Sequence, residues 1–195
     1  MPCSTSLPKS VLLTALALVL LSGLARPQQQ NLIFERLSVE QGMPTNVTCI
    51  LQDRTGYLWF GTYYGLYRHD GYGFVSRRHD VNDMSSIRDN AVTTLYEDRS
   101  GVLWVGSKLG LDRYDGAKGT FLHYAPNPQR SGEDRSNTVL AICEARDGTF
   151  WVGTASGLHH FDRATGTFTS LPCDSTDPGS ISHEVVNAIY EDTKG

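Results

Sequence analysis

The sequence predicts an all-β chain of four-stranded antiparallel propeller blades, about three of them complete and the flanking ones partial. Three observations predict it: a repeat of 45–47 residues carried by tryptophan and glycine, short β-rich runs bounded by turn signals, and no convincing helical periodicity after the first 25 residues. The segment Asp53-Arg-Thr-Gly-Tyr-Leu-Trp-Phe-Gly-Thr62 returns as Asp98-Arg-Ser-Gly-Val-Leu-Trp-Val-Gly-Ser107 and as Ala145-Arg-Asp-Gly-Thr-Phe-Trp-Val-Gly-Thr154. Trp59, Trp104 and Trp151 lie 45 and 47 residues apart, and the turn glycines Gly56, Gly101, Gly148 and Gly195 keep the same step. After each tryptophan comes a second signature: Gly65-Leu66 with Asp70, Gly110-Leu111 with Asp115, and Gly157-Leu158 with Asp162.

The elements follow in order. Lys9, the apolar run Val11–Leu21 and the small residues Ser22-Gly23-Leu24-Ala25 read as a signal peptide over residues 1–25. The apolar run is shorter than the roughly 20 residues of a membrane span, and a buried helix would carry polar residues at a 3.6 period, which this run lacks. Residues 26–195 read as the N-terminal part of a propeller. Leu32–Val39 has the outer-strand pattern of Phe121-Leu-His-Tyr124 and Phe168-Thr-Ser-Leu171, so it is expected to be a closing strand, the fourth of a shared blade.

Blades are expected over about 45–89, 90–136 and 137–183, with 184–195 beginning another. Val47–Gln52, Val92–Glu97, Val139–Glu144 and Val186–Glu191 are the first strands, and the Asp-x-x-Gly after them is a tight hairpin. Tyr57–Thr62, Leu66–His69 and Phe74–Arg78 complete the first unit. Units of four strands at this period pack face to face around an axis. Trp59, Trp104 and Trp151, with Gly61, Gly106 and Gly153, are therefore expected to be the structural core of the repeat. A propeller needs at least four blades, so the 195 residues read as a piece of a longer ring.

Composition narrows the function. The formal charge is −4, and removal of residues 1–25 takes away Lys9 and no acid, leaving a more acidic chain. Nucleic-acid partners need a basic stripe and are excluded on that ground. Cys49, Cys143 and Cys173 would remain, an odd number that cannot all pair, and no CxxC or Cys/His ligand spacing occurs. Cys49 and Cys143 sit in apolar runs and read as buried small hydrophobes. The six histidines show no metal spacing, and His159 and His160 point to opposite faces of one strand. No motif requires a cofactor or a metal. Gly153-Thr-Ala-Ser-Gly157 has its serine at the wrong place for a nucleophile elbow, and Asp162-Arg-Ala-Thr-Gly166 reads as a hairpin.

Asp98-Arg-Ser-Gly-Val-Leu-Trp-Val-Gly-Ser107 and Gly110-Leu-Asp-Arg-Tyr-Asp115 resemble the two-component regulator propeller repeat, and Phe34-Glu-Arg-Leu-Ser-Val-Glu-Gln-Gly-Met-Pro44 resembles the start of such receptors. The resemblance covers about residues 31–195. It departs from the pattern at Ala145, where the turn Asp is missing, and at Tyr63-Tyr64. It implies a bacterial receptor with periplasmic propellers and a β-sandwich, anchored in the inner membrane, with a cytoplasmic histidine kinase or diguanylate cyclase as output. The sandwich, the membrane helix and the kinase motifs are not in this chain. By the same resemblance the segment is non-catalytic and senses a small molecule, carbohydrate fragments being the class linked to these propellers. Its other implied partners are the rest of its own propeller and a second receptor copy.

Propellers bind ligands on loops that vary between blades. Here the variable pairs are Tyr63-Tyr64, Lys108-Leu109 and Ala155-Ser156. Tyr63 and Tyr64 offer aromatic faces to a sugar ring, and Lys108 offers a charge to an acidic group, so these three are the candidate ligand residues. The competing expectations are an exported propeller enzyme acting on polysaccharide, which would need a carboxylate pair or a His/Tyr base on channel loops, and a protein-docking scaffold.

Overall fold

The structure is a computed structural model describing residues 38–129, 135–171, 173–174, 176–177 and 180–192. The expected signal peptide and residues 32–37 of the expected closing strand lie outside them. At the described end of that strand, Val39–Gln41 is a 3-10 turn rather than extended chain.

Three antiparallel sheets of four strands follow one another. The first is β1 (Val47–Gln52), β2 (Leu58–Thr62), β3 (Gly65–His69) and β4 (Phe74–Arg77). The second is β5 (Val92–Glu97), β6 (Leu103–Ser107), β7 (Gly110–Asp115) and β8 (Thr120–Tyr124). The third is β9 (Val139–Glu144), β10 (Phe150–Thr154), β11 (Gly157–Asp162) and β12 (Thr167–Ser170). Each sheet runs in simple sequence order, first strand to fourth. β1 packs beside β5 and β5 beside β9, so first strands are innermost and the sheets stack as blades.

Local chemistry explains each hairpin. Asp53 Oδ1 accepts the backbone N–H of Thr55 (2.9 Å) and Tyr57 (3.0 Å), while Gly56 N–H closes on the Asp53 carbonyl at 2.9 Å. Gly56 takes φ +94°, a conformation that needs glycine. The other carboxylate oxygen accepts the Trp59 indole N–H at 2.7 Å. Asp98 does the same for Ser100, Val102 and Trp104. One side chain thus shapes the turn and aims the tryptophan. Ala145 cannot, and among the described residues the Trp151 indole N–H has no acceptor.

The blades meet through four repeated devices. A bulge shifts the register of each first strand, between Val47 and Cys49 and between Val92 and Thr94. The extra residues there, Thr48 and Thr93, donate their hydroxyls to the carbonyls of Val92 and Val139 in the next blade. Glycine admits that next blade. A Cβ on Gly61 would lie 2.6 Å from Val92 Cγ1, on Gly106 2.8 Å from Val139 Cγ1, and on Gly153 2.7 Å from Val186 Cγ1.

Aromatic rings then interlock across the gap. Trp59, 3% exposed, meets Tyr114 edge-on at 5.3 Å, and Trp104, 2% exposed, meets Phe161 at 5.5 Å. Around them lie two cores: Trp59 with Leu66, Val92, Leu95, Leu103 and Tyr114, and Trp104 with Leu111, Val139, Ile142, Phe150 and Phe161.

The fourth device is an arginine clamp. Arg54 binds both Glu97 oxygens through its backbone N–H and Nε, and the carbonyls of Asp98 and Arg99 through its guanidinium. Arg99 reaches Glu144 and the Arg146 carbonyl, and Arg146 reaches Glu191 and the Asp192 carbonyl. Every donor sits in the earlier blade and every acceptor in the later one.

Three expectations need correction. Trp151 is half-buried, not core, because the face it turns outward is covered by no further sheet among the described residues. Cys49 and Cys143 are half-buried free thiols rather than buried ones. Val186–Glu191 is not a strand among the described residues, where no run pairs with it. Its contacts with the third blade still repeat: Val186 lies against Gly153 as Val92 lies against Gly61 and Val139 against Gly106, and its N–H donates to the Thr154 carbonyl at 2.9 Å.

Candidate functional site

Antiparallel order puts the β2–β3, β6–β7 and β10–β11 turns on one face of the stack, together with the chain that links blade to blade. Each turn is tied by its own hydroxyl. Thr62 Oγ1 accepts from Tyr64 N–H (2.9 Å) and donates to the Gly65 carbonyl (2.8 Å). Ser107 and Thr154 repeat this with Leu109 and Gly110, and with Ser156 and Gly157. Gly110, at φ +139°, leaves room for the Tyr124 carbonyl, which would lie 2.3 Å from a Cβ there.

With the hydroxyl turned inward, the two residues between it and the glycine project outward. Tyr63 is 54% exposed and Tyr64 57%. Lys108 Nζ lies 5.9 Å from the Tyr63 ring centroid, a cation–π contact from the second blade to the first. The structure therefore brings Tyr63 and Lys108 together. Tyr64 shares their face but makes no ring or hydrogen-bond contact with either among the described residues. Ser156 turns away, donating to the Ser136 carbonyl at 2.8 Å.

The fold also holds a polar pair that sequence reasoning missed. Asp112 (β7) is fully buried and His123 (β8) is its cross-strand neighbour. His123 Nδ1 lies 2.7 Å from Asp112 Oδ1, and Nε2 lies 3.0 Å from the Met84 carbonyl. The second carboxylate oxygen accepts Arg88 N–H at 2.9 Å. Both partners of the imidazole are acceptors, so the arrangement is complete when both ring nitrogens carry protons. The pair pins the linker between the first and second blades. In the third blade the same cross-strand position holds His159 and Ser170, joined at 3.0 Å, with Thr154 Oγ1 3.1 Å from the other ring nitrogen. No repetition announces either pair, which is why periodicity did not find them.

The two histidines titrate in opposite senses. The Asp112 hydrogen bond holds the His123 pKa above its ordinary value, whereas burial pushes that of His159 down. For His123 the contribution to stability is full below about pH 6.5 and is lost as pH rises through its raised folded-state value. For His159 stability is full above about pH 6.5 and is lost as pH falls towards its lowered one. Denaturant unfolding from pH 5 to 8.5 is expected to show His123→Gln losing the alkaline-side decline and His159→Asn losing the acid-side one. Profiles parallel to that of the unsubstituted chain would contradict both assignments.

No group of three or more metal-ligating side chains occurs among the described residues, and no helix among them is long and apolar enough to cross a membrane. The Gly153–Gly157 stretch runs from the end of β10 through the turn into β11, and Asp162 closes a hairpin through the N–H groups of Ala164 and Thr165.

Three stretches, 41–64, 86–108 and 134–156, match the two component regulator propeller model. Each spans a first strand, its hairpin, the tryptophan strand and the outward-facing turn. The fold is similar to the extracellular domain of the hybrid two component system BT3049 from B. thetaiotaomicron, with 29% identity over 77% of this chain and a TM-score of 0.63. The extracellular domain of BT4673 from the same organism shares the fold at 21% identity over 85% of this chain, with a TM-score of 0.66. This chain spans 21% of the first of those structures and 22% of the second. No curated protein matches the sequence.

Proposed function

From a chain that carries two component regulator propeller repeats, we propose a periplasmic, non-catalytic sensing module, the N-terminal stretch of the propeller of a membrane-anchored signalling receptor. The leader-like residues 1–25 and the likeness to extracellular domains of two component systems support the location. The half-buried Trp151, standing where Trp59 and Trp104 are covered, supports a further blade against the third.

The observation that carries the sensing role is the contact between Tyr63 and Lys108 across two blades. An aromatic face beside an ammonium group, both exposed and held by a rigid turn, suits a small ligand with a flat apolar side and an acidic group, an acidic oligosaccharide among them. Because the two residues belong to different blades, a ligand touching both favours one blade spacing over another, and that difference in affinity is what signalling requires.

Calorimetric titration of the chain with a panel of neutral and uronic-acid oligosaccharides tests the reading. Saturable binding is expected to an acidic member. Tyr63→Ala and Lys108→Ala should each weaken it by about 0.5–2 kcal/mol, the range of a cation–π or stacking contact. Binding that all three variants, Tyr64→Ala included, leave unchanged would move the site elsewhere.

A further inference from the structure

On the face opposite Tyr63 and Lys108, formed by the β1–β2 and β3–β4 turns, a cleft of about 330 Å³ opens between the first and second blades. Asp53, Tyr57, Trp59, Arg68, Glu97 and Tyr114 line it. The molecule shows what fits there, because the equivalent cleft between the second and third blades is occupied by one of its own side chains.

That side chain is Arg163, on the turn between β11 and β12. Its Nη1 lies 3.3 Å from Asp98 Oδ2 and its Nη2 2.9 Å from Glu144 Oε1. The guanidinium also donates to the Gly148 carbonyl and stacks 5.1 Å from the Phe150 ring centroid. In the first cleft the repeat puts Asp53 for Asp98, Glu97 for Glu144, Gly101 for Gly148 and Leu103 for Phe150. For Arg163 it puts Gly116. The receiving groups are present and the arginine is not.

Asp53 confirms the difference. Among the described residues its Oδ2 accepts only the Trp59 indole N–H, whereas the matching oxygen of Asp98 also faces Arg163. Arg68 lies over the Tyr57 and Trp59 rings at 4.5 and 5.8 Å. Its counterpart Arg113 lines, with Arg163, a remaining cavity of about 250 Å³ in the second cleft, so a second guanidinium is accommodated next to the first. One contact must change. Glu97 Oε1, whose counterpart takes Arg163, holds Arg54 Nε at 2.9 Å. Arg54 is half-exposed, so solvent screens this contact and little is lost in releasing it. Its counterpart Arg99 shows the alternative, keeping a backbone bond to Glu144 and a carbonyl bond while leaving that oxygen free for Arg163.

We propose that the cleft between the first and second blades is a binding site for a guanidinium group. A planar fork of N–H donors matches two carboxylates and a carbonyl as a compact ammonium does not. The group can come from a free guanidino compound or from an arginine side chain of a protein partner.

The test uses the three tryptophan indole N–H signals of the ¹⁵N-labelled chain, titrated with methylguanidine. The Trp59 signal is expected to shift saturably, because its N–H donates to the Asp53 carboxylate that the ligand engages. The Trp104 signal should stay, since Arg163 already holds the Asp98 and Glu144 carboxylates of its cleft. Gly116→Arg is expected to abolish the Trp59 response; a Cβ at Gly116 meets only Tyr114, at 3.7 Å, so the position accepts a side chain. Arg163→Gly is expected to make Trp104 respond, which decides the matter should Gly116→Arg not fold. Tighter binding of N-acetyl-arginine methylamide than of methylguanidine assigns the group to a protein partner, and equal or weaker binding to a free compound. An unmoved Trp59 signal, an equal shift with methylammonium, or a response surviving in folded Gly116→Arg overturns the proposal.

Discussion

Trp104→Ala is expected to destabilise the chain by about 3–5 kcal/mol, the usual cost of emptying a well-packed aromatic site, with Trp151→Ala costing roughly 1 kcal/mol. The two residues are repeat equivalents, so propensity and turn chemistry predict equal effects. Packing separates them. Trp104 meets Phe150 at 5.1 Å, Phe161 at 5.5 Å and Tyr124 at 6.1 Å, and its N–H is held by Asp98. Among the described residues Trp151 has a single ring contact, with His160 of its own blade at 6.0 Å, and no carboxylate behind it. Urea unfolding of the two variants measures the difference directly. Equal losses would mean that tryptophan acts within its own sheet and that blade stacking contributes little.

Gly106→Ala is expected to cost about 1–3 kcal/mol by overpacking, although it adds a single methyl group. That methyl would lie 2.5 Å from Thr94 Cγ2 in its own sheet and 2.8 Å from Val139 Cγ1 in the next blade. The Val139 part of the cost should disappear in the double variant with Val139→Ala, giving a coupling that lowers the loss below the sum of the single effects. Gly56→Ala is the control. Nothing lies within 4 Å of a Cβ there, so its cost is backbone strain alone and no partner relieves it. Additive losses for Gly106 and Val139 would contradict the close approach of blades.

The blades were legible because their cause is local and repeated. Asp53 and Asp98 with their glycines make hairpins wherever they stand, and strand boundaries predicted from turn signals agree with those observed to within one residue, as in Leu58–Thr62 and Phe74–Arg77. Whatever depends on a neighbour was harder to read. The exposure of Trp151 depends on what covers it, not on its own segment. The arginine clamp left a signal that a periodicity search aimed at tryptophan passes over: Arg54, Arg99 and Arg146 recur in step with Glu97, Glu144 and Glu191. Asp112 with His123 left none, being a single pair of residues on adjoining strands. Of the candidate ligand residues, the turn pattern indicated outward-facing side chains, but only three dimensions could put Lys108 against Tyr63 and leave Tyr64 apart.

The clamp also sets what the first blade offers on its other side. Its acceptor in each later blade is a glutamate, but the first blade carries Gln52 at that register, donating weakly to the Gly56 carbonyl at 3.5 Å. A clamp arginine arriving on that side of the first blade would meet an amide instead of a carboxylate. That side of the first blade thus offers hydrogen bonds but no ion pair of the kind that Arg54 makes with Glu97.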